Sequence, residues 1–177
     1  MRFAYADPPY YGKCGKFYGH NHPDGRCWDD LTTHKLLIER LLSEYPDGWA
    51  LSCSSPDLFA LLPLCPPPPV TRIGAWIKPF CVYKKGVRPA YAWEPVLFAG
   101  GRNKNHPPPP KGGEQTTPTD YIVANITLRK GLTGAKPPEF CRGVLDLLGY
   151  IDGEDTLDDL FPGTAIMDAV LRQGTLA

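Results

Sequence analysis

Along this chain, short apolar runs that end in turn residues alternate with stretches whose apolar residues recur at helical spacing. No other feature limits the fold as strongly. Alternation of strand and helix predicts an α/β architecture with a mainly parallel sheet. In such sheets a ligand binds beyond the carboxyl ends of the strands, so the turns that follow the strands are where function is to be sought.

Residues 2–6 form a short buried strand. Residues 11–30 form a loop rich in Gly, His, Asp and aromatics. A helix follows over 32–45, with Leu37, Ile38, Leu41, Leu42 and Tyr45 as its apolar stripe. Pro46-Asp47-Gly48 ends it. Residues 49–54 are a second strand, and Ser55-Pro56 starts a short helix through Leu62. Pro66–Pro69 is expected to be a stiff polyproline connector. Strands are expected from Arg72 to Ile77 and from Tyr91 to Ala99. Residues 100–119, with a second proline run at Pro107–Pro110, read as an exposed loop. A helix over 137–148 has proline in its first turn and Gly149 as its cap. Asp155 to Phe161 reads as a strand, Pro162-Gly163-Thr164 as a turn and Ala165–Leu171 as a last helix.

The chain of 177 residues suits a single domain spanning 1–177, interrupted by proline-rich loops near 65–70 and 100–119. Its 19 basic and 19 acidic residues cancel, which argues against a uniformly basic nucleic-acid coat. No apolar stretch is long enough to span a bilayer, and the N-terminus lacks the pattern of a signal peptide. A cytoplasmic protein is expected, with no membrane partner. The six cysteines form no CxxC pair and read mostly as reduced, buried, small hydrophobes.

Asp7-Pro8-Pro9-Tyr10 follows directly on the first strand. Proline lacks an N–H and stiffens the turn, so the Asp7 carboxylate and the adjacent backbone carbonyls are left as acceptors. Two acceptors suit an amino group with two hydrogens. A neighbouring tyrosine offers a flat face to a ring. An amino group on a ring describes adenine or cytosine.

This motif resembles the catalytic motif of the S-adenosylmethionine-dependent DNA amino-methyltransferases. The second half of the chain also looks like theirs. Ala135-Lys136-Pro137, a helix, and then Thr156-Leu157-Asp158-Asp159-Leu160-Phe161-Pro162-Gly163-Thr164 resembles the family's cofactor half, where a strand ends in Asp-x-Phe-x-Gly-Ser/Thr-Gly. Catalytic motif first and cofactor motif last is the permuted, beta-class order. Trp76-Ile77-Lys78-Pro79 and Trp93-Glu94-Pro95-Val96 look like that class's middle strands. Short phage and actinobacterial proteins of this type are the most similar overall.

The resemblance implies a Rossmann-like methyltransferase fold that transfers a methyl group from S-adenosylmethionine to the N6 amino group of adenine in DNA. Asp7 and the Pro8 carbonyl would bind the amino group, within the catalytic set Asp7, Pro8, Pro9 and Tyr10. Tyr10 would stack on a flipped base. Asp7, Lys136, Asp159, Phe161, Gly163 and Thr164 would form the cofactor side, with Phe161 on the cofactor adenine. An Asp at the head of the motif favours adenine over cytosine in this family. A methyltransferase-like binding module without chemistry, and a cytosine-N4 or RNA methyltransferase, are the alternative readings.

Two departures from the pattern stand out. Ala165 replaces the last motif glycine. The two strands that the family carries after the cofactor turn, the first with an acidic residue for the ribose, have no counterpart before Ala177. The expected sheet therefore lacks its last strands. Weak cofactor binding, a wall supplied by a second subunit in a homodimer, and a degenerate enzyme are the alternative consequences.

Cys14, His20, His22 and Cys27 are spaced C-x5-H-x-H-x4-C. Four such ligands suffice for tetrahedral zinc, although the spacing matches no common zinc template. The alternative is a polar lid in which His20 or Lys16 meets phosphate. Asp29, Asp30 and His34 read as a helix-capping start. Lys84, Lys85, Arg88, Arg102, Lys104, Lys111, Arg129 and Lys130 gather in the middle third and suit either a DNA-facing edge or an ordinary charged surface.

Overall fold

The computed structural model describes residues 1–13, 27–81, 85–102, 119–127, 135–163 and 165–174. Six strands form one sheet: β1 (Arg2–Ala6), β2 (Gly48–Ser52), β3 (Thr71–Ile77), β4 (Trp93–Gly100), β5 (Tyr121–Val123) and β6 (Thr156–Asp159). Their spatial order is β5-β3-β4-β2-β1-β6. The pairs β1–β2, β1–β6 and β3–β5 are parallel, whereas β4 runs antiparallel to both β2 and β3. The sheet is thus mainly parallel, with one reversed strand. β5 was not anticipated: its three residues are too few to show a period, and Ile122 alone is buried.

Alternate side chains feed two cores, as the period-2 geometry of strands requires. Phe3, Tyr5, Ala50, Val96 and Phe98 face α3 (Pro138–Leu148) and α4 (Ile166–Gly174). Ala4, Ala6, Trp49, Leu51, Leu97 and Ala99 face α1 (Leu31–Glu44) and the short α2 (Leu58–Leu61). Helices therefore cover both faces. α1 buries Leu37, Ile38 and Leu41, and Tyr45 lies buried just beyond it. Each such side chain contributes about 1.5–3 kcal/mol of burial. Asp30 caps α1, its Oδ1 accepting from the Thr32 N–H at 2.9 Å, which fits the capping role expected at this start.

In α3 the buried side chains Phe140, Cys141, Val144 and Leu148 form a stripe. Gly149 ends the helix with φ 67°, the left-handed cap that glycine adopts at little cost. Gly143 lets α3 settle on β5, since a Cβ there would lie 2.7 Å from the Ile122 side chain. Pro66–Pro69 does not run on as an extended connector. The chain turns there, closed by the Val70 N–H on Pro67 O at 3.2 Å, so that β3 can enter the sheet. The helix that begins near residue 166 continues to Gly174, three residues past the expected end. The loop expected over 100–119 lies mostly outside the described residues.

Cys53 and Cys141 are buried, as expected of small hydrophobes, but Cys65 and Cys81 are half-buried and Cys27 is exposed. Among the described residues no helix is long and apolar enough to cross a membrane.

Candidate functional site at the carboxyl edge of the sheet

β1 and β6 are adjacent and parallel, and between them the order of the strands reverses. The chain steps from β1 to β2 on one side, while β6 pairs on the other. This is the switch point at which open α/β sheets bind ligands. Tyr5 pairs with Asp159, and the Leu160 N–H donates to Tyr5 O at 2.9 Å. The turn Asp7-Pro8-Pro9-Tyr10 and the turn Phe161-Pro162-Gly163 therefore leave neighbouring strands at the same end. Sequence reasoning required this juxtaposition across some 150 residues, and the strands supply it. The same edge carries Ser54 after β2, Lys78 after β3 and Glu94 at the start of the reversed β4.

Five polar side chains meet there. Lys136, just before α3, donates to Asp7 Oδ1 at 2.9 Å and to the Tyr10 hydroxyl at 2.8 Å. The Tyr10 hydroxyl donates onward to Glu94 Oε2 at 2.8 Å. Lys78 is hydrogen-bonded to the other oxygen of Glu94. Lys136 Nζ also lies 3.6 Å from Glu94 Oε2. Two carboxylates and two ammonium groups thus balance in a largely enclosed site. Lys136 Nζ stands 5.2 Å from the centroid of the Tyr10 ring, with Trp76 and Phe140 behind it. Lys13 hydrogen-bonds Ser54 Oγ at 2.7 Å at the same edge.

Burial raises the Asp7 carboxyl above its ordinary value, even against the pull of Lys136. Burial would raise Glu94 as well, but Lys136 and Lys78 together outweigh it and hold Glu94 low. Tyr10 is pushed well up by burial, then by Asp7 and Glu94. Glu94 and Lys78 were not singled out for chemistry by sequence reasoning. The signal was present in a charged residue at each end of the β3–β4 connection, but the pairing of the two strands was not readable.

On the β6 side, burial raises the Asp159 carboxyl to about 6, opposed by the Phe161 N–H and reinforced by Asp168 and Asp7. That N–H donates to Asp159 Oδ1 at 3.1 Å. The Phe161 ring meets Trp28 edge-on at 5.1 Å, Trp28 meets His34, and His34 meets Tyr11. His34 is buried, and its Nε2 lies 3.0 Å from Trp28 O. At Gly163 an added Cβ would find nothing nearer than Phe161 O at 4.0 Å, so the turn is open on that side. Ala165 sits at φ 52°, a left-handed conformation unusual for alanine. Thr164 lies outside the described residues.

Lys136, expected on the cofactor side together with Asp7, has its ammonium on Asp7 and the Tyr10 hydroxyl. Cys14, His20 and His22 of the expected zinc quartet, and Lys16 of the alternative lid, lie outside the described residues, and Cys27 is exposed. Among the described residues no cluster of three or more metal-ligating side chains forms. Of the basic group, Lys85 and Arg88 are exposed in the β3–β4 connection, at the site end of the sheet. Arg102 does not belong with them. It follows β4 at the opposite edge and is held by Asp155 at 2.6 Å and Glu154 at 3.6 Å. Lys84, Lys104, Lys111, Arg129 and Lys130 lie outside the described residues.

The sequence matches no family model and no curated protein. Among solved structures, the chain is similar to the crystal structure of the M1.HpyAVI–SAM complex. The TM-score is 0.57 at 15% identity, covering 98% of this chain and 77% of that one. The fold is the Rossmann-like methyltransferase fold. At that identity the likeness speaks for architecture, and the chemistry has to be argued from the side chains.

Proposed function

We propose that the protein transfers a methyl group from S-adenosylmethionine to the exocyclic N6 amino group of adenine in DNA, in the permuted, beta-class arrangement of motifs. One observation carries this reading: the Asp-Pro-Pro-Tyr turn and the Asp159–Gly163 turn leave adjacent parallel strands at the same end of the sheet, at its switch point. M1.HpyAVI, which shares the fold, was crystallised with SAM.

The β6 side suits that cofactor. Burial raises the half-buried Asp159 carboxyl to about 6, and the amino-acid ammonium of the cofactor would stabilise its charged form. Gly163 leaves the backbone open to close approach. Asp159, Phe161, Gly163 and Thr164 would hold the cofactor. When bound, S-adenosylmethionine supplies an electrophilic methyl group on sulfur.

The protein's part is binding and positioning. Asp7 Oδ accepts one hydrogen of the target amino group and the Pro8 carbonyl accepts the other. Both hydrogens are then drawn to one side, and the nitrogen lone pair is directed away from them. The Tyr10 ring offers a face for the base, and its hydroxyl, bonded to Lys136 and Glu94, keeps that ring from turning. A base inside a duplex cannot reach Asp7, so flipping is required. Exposed Lys85 and Arg88 at the same edge would meet phosphate.

The test is incubation with duplex DNA and methyl-labelled cofactor, followed by nucleoside mass spectrometry. N6-methyladenine, absent with Asp7→Ala, is the expected product. Methylation of cytosine N4 or of RNA alone would replace the adenine reading. The strained Ala165 favours an inert binding module as the second reading, and absence of heat on titration with cofactor would select it.

A further inference from the structure

The β3–β4 connection delivers Lys78 and Glu94 to the site. Between those two residues the sequence carries Lys84, Lys85 and Arg88, the aromatic residues Phe80, Tyr83, Tyr91 and Trp93, and no acid. In a chain whose charges cancel overall, this is a local excess of cation. Three of the rings lie among the described residues, and all three are open to solvent: Phe80 is 54% exposed, Tyr91 55% and Trp93 41%. A single exposed ring needs no explanation. Three in one connection, interleaved with exposed Lys85 and Arg88 beside the site, do.

The backbone that carries these rings is tied down. Ile77 pairs with Trp93, the Lys78 N–H donates to Ala92 O at 2.8 Å, and the Phe80 N–H donates to Asn125 Oδ1 at 3.1 Å. The rings are thus presented from fixed points, which lowers the ordering cost of binding. Side chains alternate along β4, so Glu94 turns to Tyr10 while Trp93 turns to the opposite face, beside exposed Ile77. A polynucleotide leaving the site next to Glu94 passes Trp93 as it rounds the sheet edge. Cations with interleaved ring faces suit such a chain, phosphates on the cations and bases on the rings. In an intact duplex each base face is covered by its neighbours, and only base edges and phosphates are within reach. Exposed rings gain a stacking partner only where the strand is unpaired.

We propose that the β3–β4 connection stacks on unpaired nucleotides beside the target base, so that the preferred substrate is single-stranded DNA. This rests on the reading of the site as one that acts on a base in DNA, and it adds the state of the strand. An unpaired target also removes the cost of extracting the base from a duplex.

The test is fluorescence anisotropy of the full chain, without cofactor, on a labelled adenine-containing DNA oligonucleotide, single-stranded or annealed to its complement. The single strand is expected to bind about tenfold more tightly at equal salt. Phe80→Leu and Tyr91→Leu are each expected to weaken single-strand binding by about tenfold and to leave duplex binding unchanged. Both residues are more than half exposed, so leucine there takes nothing from the core. Lys85→Ala and Arg88→Ala are expected to weaken both forms alike and to flatten the salt dependence. Trp93→Phe keeps a ring and is expected to keep the affinity, while losing most of the tryptophan quench that the single strand produces, since Trp49 and Trp76 are buried. Equal binding of the two DNA forms overturns the proposal. So does loss of both forms together in the leucine variants, no loss in either, or tighter binding of the matching RNA strand. Single-strand binding without methyl transfer overturns the proposed reaction and leaves this inference standing. Methyl transfer to duplex DNA with no preference for the single strand does the reverse, and binding of neither form overturns both.

Discussion

Tyr5 and Asp159 stand opposite one another in the parallel β1–β6 ladder, tied by the Leu160 N–H on Tyr5 O at 2.9 Å. That register places the two motifs side by side while leaving each on its own strand. Their roles should therefore separate. Asp7→Asn keeps the volume and removes the charged acceptor. It is expected to lower methyl transfer by about a hundredfold or more, on the scale of losing one oriented polar contact in a site. Cofactor affinity measured by calorimetry is expected to hold, because the Asp159–Gly163 turn is untouched. Equal loss of both would contradict the division of labour.

Asp159 illustrates a conflict between stability and binding. Its folded value of about 6 lies above the ordinary 3.8, so the folded state takes up the proton more readily than the unfolded chain. The sign follows directly: the protein loses stability as pH rises from about 4 through 6, and at pH 7 the charge is a net cost. Asp159→Asn is expected to stabilise the free protein at pH 7 by about 1–3 kcal/mol, discounted for partial exposure. The same change is expected to weaken cofactor binding. Urea melts at pH 4 and pH 7 check the first part, with the gain confined to the higher pH, and calorimetry checks the second.

Glu94 accepts from Tyr10 and from Lys78, and Lys136 stands close by. Removing one partner of a buried pair leaves the other charge uncompensated, at about 3–5 kcal/mol. Glu94→Gln is expected to cost toward the lower end, since the amide still accepts one bond. Lys78→Met/Glu94→Gln is expected to cost less than the two single changes summed, by about 1–3 kcal/mol. Denaturant melts of the four proteins give the coupling. Additive losses would mean that the two side chains stabilise the fold independently.

Much of the fold was readable because the stripes on α1 and α3 and the caps at Asp30 and Gly149 are local signals. The Asp7–Tyr10 turn and the Phe161–Gly163 turn were readable for the same reason. What sequence could not give was the partner of each strand. β4 pairs backwards between β2 and β3, and only that reversal delivers Glu94 to Tyr10, 84 residues away. Arg102 looked like one of a basic group until the same reversal carried it to the far edge, onto Asp155. Lys136 was placed by its motif neighbours, but the atoms its ammonium meets, on Asp7 and Tyr10, depend on the reach of a long side chain and were not readable.

Ala165 holds φ 52° where glycine would be at ease. A left-handed L-residue costs roughly 1–2 kcal/mol, and glycine gives back about 0.5–1 of that through the entropy of the unfolded chain. Ala165→Gly is expected to stabilise the protein by about 0.5 kcal/mol. Thermal melts measure that part. If the strain also tightens the cofactor turn, affinity for S-adenosylmethionine is expected to rise with it, and a stabilised variant with unchanged affinity would separate the turn from the binding site.

At the edge opposite the site, acid stability is set by a different carboxylate. Burial alone would raise Asp155. Arg102 at 2.6 Å, the Met1 amino group at 2.7 Å and the Ile151 N–H at 2.8 Å overcome it and hold the carboxyl at about 2. A depressed carboxyl contributes stability that is fully present above about 4 and is lost as pH falls from 4 toward 2. The difference from the ordinary 3.8 corresponds to about 2 kcal/mol. Asp155→Asn is therefore expected to lower stability at pH 7 by about that amount and to flatten the acid limb of the stability profile. Arg102→Met is expected to do the same in part, since two donors remain. Because Arg102 lies away from Asp7 and Phe161, methyl transfer per folded molecule is expected to be unchanged in Arg102→Met, and a selective loss of DNA binding in that variant would return Arg102 to the nucleic-acid face.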